Sequence, residues 1–135
     1  MTMIGTNNIL NIRKVKQYNW LGSDGETRGF VDFQDTNACI RAACIMLMRS
    51  YRIAGADTIR RIITRYAPPS ENDTENYIKF VSEFCNKEPD VKLKTKIDYA
   101  DLICAMAKME TGWKLKRAEV LDVIFCYNLR VYKRK

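Results

Sequence analysis

One glutamate has a setting suited to acid chemistry. In Met109-Glu110-Thr111-Gly112-Trp113 an apolar helical face (Leu102, Ile103, Met106, Met109) leads into a carboxylate, and a glycine follows where a helix would stop. The C-terminal end of a helix carries negative potential, which disfavours an ionised carboxylate. Apolar neighbours such as Met109 or Trp113 act in the same direction, so the pKa of Glu110 should rise. A carboxyl group that keeps its proton near neutral pH can serve as a general acid, for example toward a glycosidic oxygen. The pattern also fits an exposed glutamate near a helix end.

Two further segments carry polar chemistry. Asn7-Asn8-Ile9-Leu10-Asn11-Ile12-Arg13 alternates amides with aliphatics. Amide side chains donate and accept, which suits N-acetyl and hydroxyl groups of a sugar, although asparagines also make local turns. Tyr66-Ala67-Pro68-Pro69-Ser70-Glu71-Asn72-Asp73-Thr74-Glu75-Asn76-Tyr77 runs from a rigid turn through a polar loop to an aromatic one turn inside the next helix. It also reads as an ordinary capped connection between helices. Glu71 and Asp73 could bind a cation, but two carboxylates without a calcium-loop pattern say little.

Composition narrows the field. The 135 residues suit one domain, and no histidine is present. Serine–histidine and cysteine–histidine catalysis is therefore excluded, as are most zinc sites; no metal and no cofactor is implied. The five cysteines (Cys39, Cys44, Cys85, Cys104, Cys126) form no CxxC pair, fall mostly at apolar helical positions, and all read as reduced core residues. The formal charge of +7, from 23 basic and 16 acidic residues, is either a solvated surface or an attraction for an acidic polymer. The basic residues are dispersed and no aromatic array accompanies them, which argues against nucleic acid as the partner. The first residues show no basic and apolar leader, and no apolar run has membrane-spanning length. Synthesis in the cytoplasm without a signal peptide is expected, with no membrane partner.

The positioning elements follow from periodicity. Ile12–Tyr18 alternates apolar and basic residues, Gly22-Ser23-Asp24-Gly25 and Gly29 are turn material, and Gly29–Phe33 reads as a returning strand. From Asp35 the period becomes helical. Asp35 or Thr36 caps a helix through Tyr51 that is apolar on nearly all faces from Ala42 to Met48 and should be central; Gly55 ends it. Asp57 caps a second helix, stopped by Pro68-Pro69. Asp73 or Thr74 opens a third, with Phe84 and Cys85 on its apolar face. Asp98 caps a fourth, ending near Gly112, and a fifth spans Arg117 to Tyr127 with Phe125 among its apolar residues. Only the tail Val131–Lys135 suggests disorder. The expected architecture is a single α+β domain over 1–135, mostly α, with about five helices and a small hairpin near the N-terminus.

Together the segments Asn7–Arg13, Trp20-Leu21-Gly22, Gly29–Phe33, Ile40-Arg41-Ala42 and Tyr66–Tyr77 resemble a phage- and prophage-type lysozyme-like group of virion proteins associated with peptidoglycan, over roughly residues 5–82. The Ala67–Thr74 stretch is the most specific part. Asp73-Thr74-Glu75-Asn76-Tyr77-Ile78 is similar to the Glu-Thr-x-x-Tyr-Val segment of soluble lytic transglycosylases, whose tyrosine lies in the active site; this points to Tyr77. In those enzymes and in bacterial glucosaminidases the catalytic glutamate ends a helix. In glucosaminidases an Asn-Asn-x-Phe-Gly-Ile-Lys segment follows it. Asn7–Arg13 resembles that following segment, yet no acid precedes it, and the matching helix end is Ala105–Trp113. The resemblance therefore implies a circular permutation in which Glu110 sits against Asn7–Arg13 and Tyr77. Members of the lysozyme-like group carry a Glu and a Gly before Ile-Arg-Ala where this chain has Asn37 and Cys39; that Glu is read as a helix-start residue.

The resemblance implies a monomeric enzyme that cuts the glycan strands of peptidoglycan, with Glu110 as acid, Tyr77 beside it, and Asn7, Asn8, Asn11, Arg13, Glu71 and Asp73 binding substrate. It would act at the cell wall after delivery by a phage particle, lysis or a secretion machine, with an inhibitor or immunity protein as a further candidate partner. Hydrolysis needs a second carboxylate, for which Asp32, Asp35, Glu71 and Asp73 are candidates; transglycosylation needs none. A peptidoglycan-binding virion or secretion component without activity is the alternative, and a basic nucleic-acid-binding protein using Arg49, Arg52, Arg60, Arg61 and Arg65 is a third.

Overall fold

The computed structural model describes residues 2–133. Its small sheet forms around a two-residue turn. Arg28 and Gly29 both have positive φ (51° and 85°), the geometry of a type I′ turn whose twist suits a hairpin. That turn joins β1 (Ser23–Thr27) to β2 (Phe30–Phe33) in antiparallel register, with Thr27 opposite Phe30. The returning strand lies where alternation placed it. The outgoing strand does not: Ser23-Asp24-Gly25, read as turn material, forms most of β1, while Ile12–Tyr18 contributes one bridge, Arg13 to Phe30. β1 is exposed along nearly its whole length, so it needs no apolar alternation and shows none.

Asp35 caps α1 by accepting from the Ala38 N–H at 2.8 Å. This helix runs as α-helical Thr36–Ile45, a π-helical turn Met46–Ser50 and a last α-helical turn Tyr51–Ile53, and Gly55 follows at φ 86°. Helix α2 (Ile59–Tyr66) is capped by Thr58, not Asp57; the Thr58 side chain accepts from the Arg61 N–H. Asp73 caps α3 (Thr74–Cys85), which ends at left-handed Asn86. Thr95 caps α4 (Lys96–Thr111), and Asp98 is its third residue, bonding back to the cap N–H in a capping box. Gly112, at φ 73°, ends α4 as its position predicts. Helix α5 is Arg117–Cys126. The result is α+β, mostly α, with five helices and an N-terminal hairpin.

The Ala42–Met48 stretch is buried as expected except for half-exposed Ile45, but α4 is the more central helix. From Tyr99 to Ala107 all its residues except Asp101 are buried, and α1, α3 and α5 pack on it. Ala100, Ala105 and Ala107 interrupt its apolar periodicity with small side chains that let neighbours approach on several sides. Phe84 and Phe125 are exceptions to their expected burial, at 49% and 66% exposed. Cys39, Cys44 and Cys104 are buried free thiols, Cys85 is half-buried, and Cys126 is exposed, contrary to its apolar reading. No described helix is long and apolar enough to cross a membrane.

The described part of the tail is held in place. Val131 packs on the core, the Tyr132 N–H donates to Met48 O at 2.9 Å, and Arg52 donates to Tyr132 O. Arg134 and Lys135, also read as disordered, lie outside the described residues.

Gly5 is where the N-terminal segment crosses β2. A Cβ there would sit 2.1 Å from Val31 O. The clashing atoms belong to the β2 backbone, with the Asn8 Cβ 3.3 Å away, so no flexible side-chain end can move aside. Gly5→Ala should destabilise by about 2 kcal/mol or more, measured by urea unfolding.

Candidate functional site

The asparagines of the first polar segment mainly build the backbone around the site. Asn7 takes left-handed φ (55°), tolerated by asparagine better than by most residues. Its amide donates to Phe33 O and Gln34 O at 3.0 and 3.2 Å. Asn8 is fully buried. Its amide donates to Ile12 O and Val31 O, both at 2.9 Å, and its oxygen accepts from the Ile12 N–H at 2.8 Å and faces the Cys39 thiol at 3.6 Å. The Asn7 amide N–H groups and the whole Asn8 side chain are engaged within the protein, and neither residue lines the cleft, so the expectation that Asn7 and Asn8 contact substrate is corrected: they hold the segment to β2. Asn11 differs. Also left-handed, at φ 51°, it accepts from the Ile4 N–H and donates toward Thr2 O, Glu110 O and Glu110 Oε1, the last at 3.4 Å.

Glu110 therefore meets the Asn7–Arg13 segment in space. The Thr111 hydroxyl adds a 2.8 Å bond to Ile9 O, which fixes the last turn of α4 against the same loop. Burial raises the Glu110 pKa; the Tyr77 hydroxyl, the Asn11 amide and the Arg13 charge each pull it partly back. The direction is the one that the helix end and apolar surroundings imply; Trp113 is 41% exposed and does not line the cleft.

Tyr77 comes from the first turn of α3, is 5% exposed, and lies behind the carboxylate rather than on the cleft wall. Its hydroxyl is near enough to Glu110 to stabilise the anion, yet it closes no regular hydrogen bond to that group or any other. Burial raises the pKa of Tyr77 and of Tyr66 far above the ordinary phenol range, so both stay protonated. Tyr66 donates to Leu10 O at 2.5 Å.

Glu110 opens into a cleft of about 550 Å³. Five aromatic residues stand in its walls: Tyr18, Trp20, Phe30, Tyr51 and Tyr66. Tyr18 and Trp20 stack with centroids 4.6 Å apart and planes 17° apart. The Arg13 guanidinium lies 5.0 Å from the Phe30 ring centre, and that of Arg65 lies 5.2 Å from Tyr51. Met46 and Ser50, the first and last residues of the π-helical turn, also face it. The loop after Pro68 contributes Glu71 and Asn72.

The four candidate second carboxylates separate clearly. Asp32 accepts from the Thr6 N–H and the Thr27 hydroxyl, Asp35 caps α1, and Asp73 caps α3. Asp73 is thus corrected from a substrate ligand to a helix cap. Only Glu71 of the four lines the cleft. Among the described residues no three metal-binding side chains converge. The sequence pointed to Arg13 as a substrate ligand and to Arg65 only through the nucleic-acid reading, and it assigned Tyr18, Phe30 and Tyr51 no role in a cleft. Tyr18 and Trp20 are two apart, which in an extended chain puts both rings on one side, so part of that wall had a sequence signal.

A group whose folded pKa is raised contributes stability at low pH and loses it as pH rises through the folded value. Ionised Glu110 should therefore destabilise the fold, and Glu110→Gln should not. The variant should melt above wild type at about pH 8, with the gap closing toward about pH 4, as read by calorimetry.

No family model matches the sequence. A curated relative does: the chain is 36% identical to Protein P5 of Pseudoalteromonas phage PM2 over 118 residues, covering 78% of this chain and 68% of that protein. Identity at that level over that span places the pairing beyond a shared fold, and the chain belongs to the family of the phage PM2 Protein P5.

Proposed function

We propose that the protein cleaves the glycan strands of peptidoglycan, with Glu110 as the general acid. The observation that carries this reading is one desolvated carboxyl group, held by Asn11 and faced by an unpartnered Tyr77 hydroxyl, at an aromatic-walled cleft. Tyr18, half-buried at the cleft and backed by the buried Trp20 ring, offers an apolar face on which a sugar ring can lie. The cleft volume suits a small number of sugar units.

In the proposed step Glu110 gives its proton to the bridging oxygen as the C1–O bond breaks. The resulting carboxylate is stabilised by Asn11, the Tyr77 hydroxyl and the Arg13 charge, the groups that already favour its ionised form. It can then take the proton of whichever nucleophile closes on C1. With the 6-hydroxyl of the same muramic acid the product is an anhydro sugar. With water, Glu71 is the residue available for the second carboxylate's role. A peptidoglycan-binding phage component without activity would use the same cleft and is the second reading.

Purified sacculi incubated with wild type, Glu110→Gln and Glu71→Gln separate these readings. Wild type should release soluble muropeptides, and Glu110→Gln should release at least about 100-fold less while keeping its helical circular dichroism. Anhydro products that persist in Glu71→Gln identify transglycosylation; reducing-end products that vanish with it identify hydrolysis. Sacculus binding without any release by wild type would establish the binding role instead.

Arg13 sets the upper pH limit of the reaction. Its charge favours the ionised Glu110, so Arg13→Gln should raise the carboxyl pKa further. The alkaline limb of the pH–rate profile should move upward, and an unmoved limb would separate Arg13 from the acid.

A further inference from the structure

Most of the other arginines with described contacts have a committed polar partner. Arg60 pairs with Glu75 and Asp90, Arg117 with Asp101, and Arg52 donates to Leu93 O, Tyr132 O and the Tyr99 hydroxyl. Arg41 and Arg49 rest near Tyr127 and Tyr132 with no described polar partner, outside the cleft. Arg13 and Arg65 share that arrangement within it. Both are exposed, both line the cleft, and neither makes a hydrogen bond or ion pair through its side chain to any described residue. Two carboxylates, Glu71 and Glu110, line the same cleft without pairing to them. Each guanidinium instead rests near an aromatic ring, Phe30 for Arg13 and Tyr51 for Arg65.

That arrangement has a chemical meaning. A ring against one face limits where the guanidinium can go and leaves its in-plane N–H groups available. Those N–H groups form a planar fork that matches a carboxylate. The ordering cost of a long side chain is then partly met before any ligand arrives.

We propose that Arg13 and Arg65 form a subsite that reads carboxylates on the peptide branch of the glycan strand, so that the cleft selects a branched anionic strand over a neutral one. The proposal rests on the glycan reading above and adds the substrate class. A neutral polymer of N-acetylglucosamine offers the same ring faces and amides but nothing for the two forks. A peptide-bearing muramic acid offers both. The subsite also touches the acid: a carboxylate seated on Arg13 offsets the charge that holds the Glu110 pKa down. The branch would then favour the protonated acid among the groups facing it, Asn11, Tyr77, Tyr66 and Arg13.

Calorimetric titration tests the subsite apart from catalysis. The ligands are a disaccharide peptide carrying free carboxylates, the same compound with its carboxylates amidated, a chito-oligosaccharide, and a short single-stranded DNA. The proteins are wild type and the Arg13→Gln/Arg65→Gln double variant; both positions are exposed, so folding should be unaffected. Wild type should bind the free carboxylate form about tenfold more tightly than the amidated form, and the double variant should bind the two alike. Equal binding of both forms by wild type would overturn the subsite and leave the glycan reading standing. Saccharide binding absent in every form would overturn both. DNA bound more tightly than any saccharide, and lost in the double variant, would make the forks phosphate readers and overturn the proposal.

Discussion

The buried amide of Asn8 organises everything around the cleft. Its four contacts tie one turn of the N-terminal segment to itself, to β2 and to α1 through Cys39. Water cannot replace those bonds at a fully buried position, so losing one partner would leave several groups unsatisfied. With the turn fixed, Asn11 emerges at the geometry that reaches Glu110, and Ile9 presents its carbonyl to Thr111. The chain of dependence runs from a buried side chain to a loop conformation, and from there to the placement of an acid contributed about a hundred residues later.

Glu110 sits where a stable protein would not place a carboxylate. It ends a helix whose dipole disfavours its charge, and burial disfavours that charge further. The surrounding donors do not remove the penalty; they reduce it. A group balanced in this way can hold or release a proton at modest cost, whereas the buried tyrosines beside it stay protonated. The same few side chains thus combine one group that changes state with two that do not.

How much of this was readable beforehand depends on how local the signal is. Helix ends with strong chemistry, such as Asp35, Asp73 and Gly112, were legible because a cap is decided within four residues. Thr58 and Thr95 displaced Asp57 and Asp98 because a neighbouring side chain competed for the same N–H groups, which composition alone does not rank. β1 was missed because an exposed strand carries no alternation, and its existence depends on the turn that follows it. In the site, the meeting of Glu110 with the Asn7–Arg13 segment was inferred through family resemblance, not from periodicity. The roles of Asn7 and Asn8 were misread because an asparagine that serves a ligand and one that serves the backbone look the same in sequence. Tyr51 and Arg65 gave no local signal, since their contact is made between two helices.

The π-helical turn at Met46–Ser50 has a consequence of its own. Such a turn accommodates one more residue than a regular helix does in the same rise, so the helix beyond it keeps the phase it would have without the extra residue. An insertion into a regular stretch of helix would instead swing everything downstream by about 100° around the axis. Tyr51 would then leave Arg65, and Arg52 would leave the three acceptors that join the segment before α4, α4 itself and the tail. The short widened turn is thus the place where a change in the length of the chain is taken up without changing the aim of its side chains.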